Sequence, residues 1–403
     1  MSVLLRRVFL KNFKSIANAK VDLQDLTLLV GPNGSGKSNF IDALRLVSDA
    51  LNTTPEYAIR QRGGINEVRR RSGGHPTHFA ISLRLNLGGG RNGLYAIRVG
   101  AKSEGAFSIQ REHASVSGEG LSHAHFEVRD GKIVAASDGV APHYDQMSAD
   151  RLFLTAVSGL PPFRPLYDAL TRMGFYSINP EPIKELQVHD SGQHLDRSGW
   201  NLAAVIKRLG EEQPGRLDRI QEYLARIVPG IEGVDHKAYG PRETLEFRQT
   251  VQGQAHPWRF HAANMSDGTL RSLGVLTALF HQPRAEKDPV PFVAIEEPEV
   301  TIHPGAAAVI MDALIEASAQ GQVLATTHSP DLLDHGEIGT ESILTVESHE
   351  GETRIRPADP SAISMIRQSL YTIGELHRLG QLTPADDFTA RPLSENDLFR
   401  ADR

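Results

Sequence analysis

Short apolar runs separated by polar residues occupy the first 30 residues of the chain. The runs LLRRVFL, AKVDL and LTLLV have the length and the branched or aromatic content of β-strands. LTLLV leads into the glycine-rich segment GPNGSGKS at residues 31–38. Apolar residues at near-helical spacing follow in SNFIDALRLVSDAL. The pattern predicts three strands, a glycine loop and a helix in direct succession.

The hydrophobic pattern changes twice in the middle of the chain. Between about residues 76 and 135, alternating runs such as THFAISLRLNL and GLYAIRVG are separated by Gly-rich turns, which predicts an antiparallel sheet. From about 150 to 230 the apolar spacing becomes helical, as in NLAAVIKRL and RLDRIQEYLARIV. Prolines and glycines interrupt this part and exclude a long coiled coil. We interpret 146–235 as a helical insertion.

Strands and helices alternate again after about residue 240, through PFVAIEEPE, AAAVIMDALIEASA and QVLATTHS. This order predicts parallel α/β structure in a C-terminal lobe, 236–380, that completes an N-terminal lobe, 1–145. Residues 381–403 are polar and predict a loosely held tail. The expected fold is α/β, with a mixed sheet around the glycine loop, an antiparallel β subdomain and the helical insertion.

Composition and charge narrow the class of protein only moderately. Of 403 residues, 40% are hydrophobic and 23% charged, as in ordinary globular proteins. The net charge of -6 argues against a chain that coats nucleic acid, although it is compatible with a local basic groove. The absence of cysteine excludes disulfides, thiolate chemistry and cysteine-ligated metals. No run approaches the roughly 18 apolar residues of a spanning helix, and the N-terminus is unlike a signal peptide, so we expect a cytoplasmic protein without a membrane partner.

The segment GPNGSGKS fits the phosphate-binding pattern G-x-x-x-x-G-K-[ST]. In such a loop the backbone N–H groups surround the phosphates, Lys37 reaches the outer phosphates and the Ser38 hydroxyl ligates magnesium. An ordinary glycine turn does not explain Lys37 and Ser38 together. ATP and Mg²⁺ are therefore the predicted cofactors. The predicted nucleotide-contacting residues of the loop are Asn33, Gly34, Ser35, Gly36, Lys37, Ser38 and Asn39.

Two adjacent carboxylates, Glu296 and Glu297, end the apolar run at 292–295. Phosphoryl transfer needs one acidic group near the magnesium ion and another that orients or deprotonates the attacking water. Neighbouring side chains at a strand end point to opposite faces and can divide these two roles. The alternative is a solvated acidic turn after a buried strand, which the glycine loop disfavours.

Two further segments carry candidate residues. VLATTHSPDLLD predicts a buried strand that ends near His328, followed by a helix that Ser329 caps. His328 either contacts the γ-phosphate or is a structural hydrogen-bonding residue, as many lone histidines are. In NMSDGTLRSLGVLTALF, Ser266 caps an apolar helix and Gly268 permits a close backbone approach.

The order of these motifs resembles that of the ABC-type ATPases. The opening LKNFKSI, together with EEPEVTIHP and TTHSPDLLD, is similar to the branch that holds SMC, RecF and OLD-type ATPases. FYSINPEPIKELQ is similar to compact bacterial members of the last group. The resemblance covers about residues 1–50 and 260–335. The corresponding motifs are Walker A at 31–38, the signature at 266–271, Walker B at 292–296, the catalytic glutamate at Glu297, the D-loop at 299–304 and the switch histidine at His328.

The resemblance implies an ABC-ATPase head in which two copies of the chain enclose two ATP molecules, as a homodimer or within a larger homo-oligomer. Ser38 and Glu296 would then hold Mg²⁺, while Glu297 orients the attacking water with the help of His328. Ser266 and Gly268 of one chain would contact the γ-phosphate bound to the other chain.

Some features depart from the family pattern. Glu296 stands where most members have Asp, and Thr269 replaces the second glycine of the signature. Gln61 is the nearest candidate for the Q-loop glutamine. The chain has neither an SMC-type coiled coil nor an Asp-x-Asp pattern after His328. We therefore expect neither tethering of distant DNA segments nor nuclease activity from this chain.

Two biological roles remain open. One is a sensor or motor subunit that controls a separate nuclease or toxin in defence against foreign DNA. The other is a self-contained DNA-repair ATPase that binds duplex ends or gaps. A transporter motor fits the signature poorly, and a small-molecule kinase needs neither the signature helix nor His328.

Two other polar segments have open interpretations. The segment IRQRGGINEVRRR is a solvated basic face, a DNA-backbone contact or the place of a nucleotide-sensing arginine. Its arginines are Arg60, Arg62, Arg69, Arg70 and Arg71. QVHDSGQHLD, with His189, Asp190 and His194, imitates a metal site but matches no standard ligand spacing.

Overall fold

The computed structural model describes residues 4–72, 76–118, 121–140, 148, 150–281, 292–385 and 392–400. The strands in these ranges are β1 Leu4–Phe13, β2 Ile16–Asp22, β3 Leu26–Val30, β4 His78–Gly88, β5 Arg91–Ala101, β6 Phe107–Gly118, β7 Leu121–Arg129, β8 Lys132–Ala136, β9 Gly174–Tyr176, β10 Gln187–Val188, β11 Ile231–Tyr239, β12 Arg242–Gln249, β13 Trp258–His261, β14 Phe292–Glu296, β15 Gln322–Thr327, β16 Ile343–His349 and β17 Glu352–Pro357.

The α-helices of the same ranges are α1 Lys37–Asn52, α2 Pro55–Arg60, α3 Ile65–Val68, α4 Phe153–Val157, α5 Arg164–Thr171, α6 Pro180–Lys184, α7 Leu202–Glu212, α8 Pro214–Ile227, α9 Asp267–Phe280, α10 Ala307–Ser318, α11 Pro330–Leu333, α12 Pro360–Arg367, α13 Ile373–Arg378 and α14 Glu395–Phe399. None of these described helices combines the length and the apolar character that a membrane crossing requires.

A six-stranded mixed sheet carries the glycine loop, in the strand order β17-β16-β3-β15-β14-β9. Its neighbours pair in parallel except at the β16–β17 edge. Strands inside a parallel sheet are covered on both faces, which explains why LTLLV is buried at every position instead of alternating. Since the carboxyl ends of parallel strands meet at one edge, the segments that follow β3, β14 and β15 come together there.

The second large element is a seven-stranded antiparallel sheet in the order β2-β1-β4-β5-β6-β7-β8. The predicted strands between 76 and 135 are confirmed, and β1 and β2 extend the same sheet. Alternate side chains of its strands, including Phe13, Phe79 and Phe126, join helix α1 in one apolar core. The sheet therefore supports α1, the helix that begins at the glycine loop.

The segment 146–235, interpreted from its pattern as a helical insertion, also contributes strands. β9 pairs in parallel with β14 at the edge of the central sheet, and β10 pairs with β12. Three residues are too few to produce a recognisable periodicity, so the sequence pattern cannot distinguish β9 from its helical surroundings. Helices α7 and α8 share a second apolar core with α9, α10 and the small sheet β10-β12-β11, whose β12 also pairs with β13.

The polar tail contains a docked helix in its described part. Ser394 caps helix α14 in a capping box that includes Asp397. Leu398 and Phe399 are buried against the outer face of the antiparallel sheet. Glu395 pairs with arginines of β5 and β6 at 2.7 and 2.9 Å. Polar composition concealed this docking because only a few apolar residues make the contact; residues 386–391 and 401–403 of the predicted tail lie outside the described residues.

Candidate nucleotide-binding site

The glycine loop connects β3 to α1 at the carboxyl edge of the central sheet. Gly34 and Gly36 have φ angles of +77° and +104°, a region that favours glycine. A Cβ on Gly36 would lie 2.0 Å from Thr353 Oγ1, and a Cβ on Gly31 would lie 2.0 Å from the Val346 carbonyl oxygen. The loop is therefore held so closely against the β16–β17 hairpin that the two contacting positions require glycine.

Hydroxyl groups from distant parts of the chain support the loop. Thr353 Oγ1 donates to the Ser35 carbonyl oxygen at 2.8 Å and lies 2.7 Å from Ser15 Oγ. The Asn39 amide donates to Ser15 Oγ at 2.7 Å, so this predicted loop residue also helps to shape the loop. Sequence reasoning missed Ser15 and Thr353 because isolated hydroxyl residues far from the motif have no local signal.

Lys37 extends along the loop and is buried in the described structure. Its Nζ donates to the carbonyl oxygens of Gly31 at 2.7 Å and Pro32 at 3.0 Å. Burial lowers the pKa of Lys37, while the nearby carboxylates of Glu297 and Glu299 act to raise it. The ammonium group thus lies between the loop that would surround phosphates and the carboxylates after β14.

The structure brings the two predicted magnesium ligands together. Ser38 Oγ donates to Glu296 Oε2 at 2.6 Å, although the two residues lie 258 positions apart. The other carboxylate oxygen, Oε1, accepts a bond from Arg197 at 3.0 Å. Hydroxyl and carboxylate oxygens are the donors that Mg²⁺ prefers, so the residues present fit this ion.

The side chain of Glu297 contacts a different residue from the side chain of Glu296. Its φ of 47° places a non-glycine residue in the left-handed region, and its N–H donates to the Thr326 carbonyl oxygen at 3.1 Å. Glu297 Oε1 lies 3.2 Å from His328 Nδ1, close enough for an ion pair with a protonated imidazole but not aligned as a hydrogen bond. The tandem carboxylates are therefore separated as predicted, one beside Ser38 and one beside His328.

Arg271 was not among the predicted site residues. It connects α9, the helix that Ser266 caps, to the turn at Glu297. From α9 its guanidinium donates to the carbonyl oxygens of Glu297 at 3.1 Å and of Ile178 at 2.9 Å. Burial lowers the pKa of Arg271, and the carboxylates of the EEPE segment oppose that change. An arginine between the buried leucines of an apolar helix was the available signal for this role.

Glu299 is a third carboxylate near Lys37 and was predicted only as part of a loop. It is buried and accepts a bond from Thr327 Oγ1 at 2.5 Å. Burial raises the pKa of Glu299, while the Thr327 hydrogen bond acts to lower it. Glu299 therefore lies next to the end of β15, close enough to Lys37 for its charge to act on the pKa of that lysine.

The predicted serine-glycine helix start is confirmed in its local geometry. Ser266 is exposed, and its Oγ accepts a bond from the Thr269 N–H at 3.2 Å as the N-cap of α9. A Cβ on Gly268 would lie 2.5 Å from the Thr301 carbonyl oxygen, so the close backbone approach expected of this glycine occurs within the same chain. The N-terminus of α9 thus reaches the surface while it contacts the segment that follows the tandem carboxylates.

Parts of this chain are similar to known protein families and proteins. A family model described as an AAA domain, putative AbiEii toxin, Type IV TA system, matches residues 165–334, and an AAA ATPase domain model matches residues 4–83. The Old nuclease of Escherichia phage P2 is 21% identical over 357 residues, which cover 83% of this chain and 58% of that protein. A chromosome partition protein Smc of Methanocaldococcus jannaschii is 50% identical over 46 residues, 11% of this chain and 4% of that protein.

A solved SMC head, bound to the C-winged helix domain of ScpA, has the same fold. It matches with a TM-score of 0.53 and 14% identity over 87% of this chain and 96% of that chain. Together with the motif order, these matches support an SMC/RecF/OLD-like ABC-type ATPase. It spans less than two thirds of the Old nuclease and a small fraction of Smc.

The arginine-rich segment after α1 is largely engaged in structural contacts. The side chain of Arg62 is buried and pairs with Asp42 at 2.9 Å and Asp49 at 2.8 Å, both on the helix that follows the glycine loop. Arg70 donates to the Ser15 carbonyl oxygen at 2.6 Å. Gln61 is exposed at the end of α2. The main effect of these arginines is therefore to stabilise α1 and the β1–β2 turn, and not to form an unpaired basic surface.

The histidine-rich segment forms hydrogen bonds within the protein. His189 Nδ1 lies 3.1 Å from Glu243, and Asp190 accepts a bond from the Asn201 amide at 2.9 Å. Within the residues that the structure describes, no group of three His, Asp or Glu side chains is arranged to hold a metal ion. These contacts organise the loop at 189–201, which ends next to the Walker B carboxylate.

Proposed function

We propose that this ABC-type ATPase hydrolyses ATP with Mg²⁺ and dimerises around two nucleotides. The observation that carries the proposal is the convergence of Lys37, the Ser38–Glu296 pair and the Glu297–His328 pair at one edge of the central sheet. These groups come from β3, β14 and β15, whose carboxyl ends lie side by side. The arrangement supplies a phosphate cradle, a metal site and a separate base.

Each group has a role that follows from its position. The loop amides and Lys37 bind the phosphates, because they form a cationic concave surface at the N-terminus of α1. Ser38 and Glu296 would hold Mg²⁺, which when bound neutralises charge on the phosphate oxygens. Glu297 orients the attacking water and accepts its proton, since its carboxylate does not contact Ser38. His328, 3.2 Å away, stabilises the charge that develops beside Glu297.

The second half of each site would come from a partner chain. The N-terminus of α9 is exposed at Ser266, and its backbone N–H groups and hydroxyl suit a phosphate. The helix has 14 residues, which is long enough for its dipole to matter. In the resembling family this segment contacts the nucleotide of the opposite subunit. We infer that Ser266 and Gly268 do so here.

A mixing experiment tests the composite site. Lys37→Ala disables the phosphate cradle and Ser266→Arg obstructs the opposite wall, so each variant alone should lose ATP turnover by about 100-fold. In a mixed dimer one site carries both changes and the other carries neither. Random pairing should therefore restore about a quarter of wild-type turnover, measured as phosphate release.

The wild type at the same total concentration sets the scale of this experiment, and the unmixed variants set the background. A mixture that stays at the background would contradict the exchange of signature segments between chains. Substantial turnover by Ser266→Arg alone would contradict a role for Ser266 at the phosphate.

The biological role is proposed from the relatives. The Old nuclease is a phage protein, and the family model that matches residues 165–334 is described as an AAA domain, putative AbiEii toxin, Type IV TA system. Both support a sensor or motor subunit in defence against foreign DNA that acts with a separate effector. The similarity over 46 residues to a chromosome partition protein supports a DNA-linked role, for which the alternative is a self-contained DNA-repair ATPase. The internal pairing of the arginines after α1 and the net charge of -6 favour the first role.

Linear duplex DNA in the ATPase assay separates the two roles. For a subunit that controls an effector we expect turnover to change less than about 2-fold with DNA, because the paired arginines leave little free positive charge for phosphate contacts. Closed circular DNA is the matched control for end binding. A several-fold stimulation by linear DNA alone would favour the repair role and contradict the preferred one.

A further inference from the structure

Both oxygens of the Walker B carboxylate have protein partners. Ser38 Oγ donates to Glu296 Oε2 at 2.6 Å, and the Arg197 guanidinium donates to Oε1 at 3.0 Å. Arg197 belongs to none of the recognised motifs and follows the histidine-rich segment. Its side chain is half-exposed and lines the same cleft as Ser38 and Asn39. A positive charge from outside the motifs therefore faces the predicted metal site.

The backbone around Arg197 is fixed next to β14. The Ser177 N–H donates to the Arg197 carbonyl oxygen at 3.0 Å, and the Asn179 N–H donates to that of Ser198 at 2.9 Å. These donors follow β9 directly, and β9 pairs with β14 up to the residue before Glu296. The parallel pairing of β9 thus sets the distance between Arg197 and the Walker B carboxylate.

A hydrogen-bond network makes the Arg197 loop rigid. Asp196 Oδ1 accepts bonds from the Ser198 N–H at 2.8 Å and hydroxyl at 2.6 Å. Asn201, which is buried, accepts from the Asp196 N–H at 2.8 Å and donates to Asp190 at 2.9 Å and to the His194 carbonyl oxygen at 2.9 Å. The polar residues of QVHDSGQHLD therefore form hydrogen bonds that hold the loop on which Arg197 lies.

We propose that Arg197 is a positioning residue for the magnesium ligand Glu296, an inference that rests on the proposed ATPase function. Arg197 and Ser38 use different oxygens of the carboxylate, so the guanidinium holds Oε1 while Oε2 stays directed at Ser38. A carboxylate held in this way loses less conformational entropy when it binds a metal ion. Hydrogen-bond partners of metal ligands typically contribute about 10- to 100-fold to metal affinity.

Nucleotide binding as a function of Mg²⁺ tests this role without requiring turnover. The probe is AMP-PNP with a methylanthraniloyl fluorophore, titrated with MgCl₂ or held in EDTA. Arg197→Ala should raise the MgCl₂ concentration for half-maximal binding by about 10- to 100-fold. Its affinity in EDTA should change by less than about 3-fold, because the loop and Lys37 are intact. Arg197→Lys should recover part of the loss, since a cation remains near Oε1.

The matched control is Arg208→Ala, which removes an arginine that pairs with Glu212 on α7, away from the carboxylate. It should behave as the wild type, and thermal unfolding shows whether each variant is folded. An unchanged or lower Mg²⁺ requirement in Arg197→Ala would overturn the proposal, the latter because Arg197 would then compete with the ion. An equal loss of affinity in EDTA would also overturn it, since Arg197 would then act on the phosphates. A wild type without Mg²⁺-dependent nucleotide binding would instead contradict the proposed function.

Discussion

Glu297→Gln should lower ATP turnover by about 100-fold or more, because removal of a general base typically costs this much. Glutamine keeps the size of the side chain and suits the same left-handed backbone, but it cannot accept the proton from water. Nucleotide binding should persist, since Lys37 and the Ser38–Glu296 pair are unchanged. The variant should therefore accumulate as an ATP-bound dimer.

Phosphate release and size-exclusion chromatography with light scattering, both with ATP and MgCl₂, measure the two parts of this prediction. Glu337→Gln is the matched control, because Glu337 is an exposed carboxylate in the segment that follows α11. It should keep wild-type turnover and show no trapped dimer. Unchanged turnover of Glu297→Gln together with a monomer in the presence of ATP would refute the assignment of Glu297.

The largest expected effect on stability concerns Glu112, a carboxyl group of β6 with no solvent exposure. It accepts bonds from the N–H groups of Phe153 at 2.5 Å and Leu154 at 3.0 Å, and from the Tyr95 hydroxyl at 3.0 Å. Burial raises the pKa of Glu112 to about 7, and the two backbone hydrogen bonds oppose this shift. Glu112 connects the start of α4 to the antiparallel sheet in a place remote from the nucleotide loop.

The sign of the resulting pH dependence follows from the raised pKa. Between the unfolded value of about 4.3 and the folded value of about 7, the folded state binds the Glu112 proton more strongly than the unfolded chain does. The contribution of this proton to the free energy of unfolding is complete below that window and is lost as the pH rises through it. The full loss amounts to roughly 4 kcal/mol, at about 1.4 kcal/mol for each pKa unit, and roughly 3 kcal/mol of it falls between about pH 4.5 and pH 8.

Glu112→Gln removes the titrating group while it keeps the shape of the side chain. The free energy of unfolding of the wild type, relative to this variant, should fall by roughly 3 kcal/mol between pH 4.5 and pH 8, measured by urea denaturation. Glu104→Gln is the control, since Glu104 is exposed in the turn between β5 and β6. Parallel pH profiles for the wild type and Glu112→Gln would contradict the raised pKa.

Residues that act through their immediate neighbours were predictable from the sequence. The glycine loop, the strand before it and helix α1 after it form one continuous segment, and the caps Ser266 and Ser329 bond to residues three positions further on. The separation of Glu296 from Glu297 was also predicted, but its cause differs from strand alternation, because Glu297 lies just beyond β14 in the left-handed region. These features need no information about distant parts of the chain, so pattern and motif were sufficient.

Residues that act across long sequence distances were not predictable in the same way. Thr353 reaches the loop from β17, Arg271 reaches the Glu297 carbonyl oxygen from α9, and Arg197 reaches Glu296 because β9 pairs with β14. Apart from the charge of Arg271 within an apolar helix, these contacts leave no periodic or compositional signal. The docking of Leu398 and Phe399 on the antiparallel sheet was concealed for the same reason.

The amino-acid sequence by itself determined the phosphate-binding loop, the alternation of strands and helices and the identity of the tandem carboxylates, because each depends on residues that are close along the chain. Only the tertiary structure decided which groups meet at the site. Parallel pairing of β3, β15, β14 and β9 places four segments at one edge of a sheet. The physical reason is that strand order is set by burial and hydrogen bonding between segments far apart in the sequence, and one segment alone does not encode its neighbours.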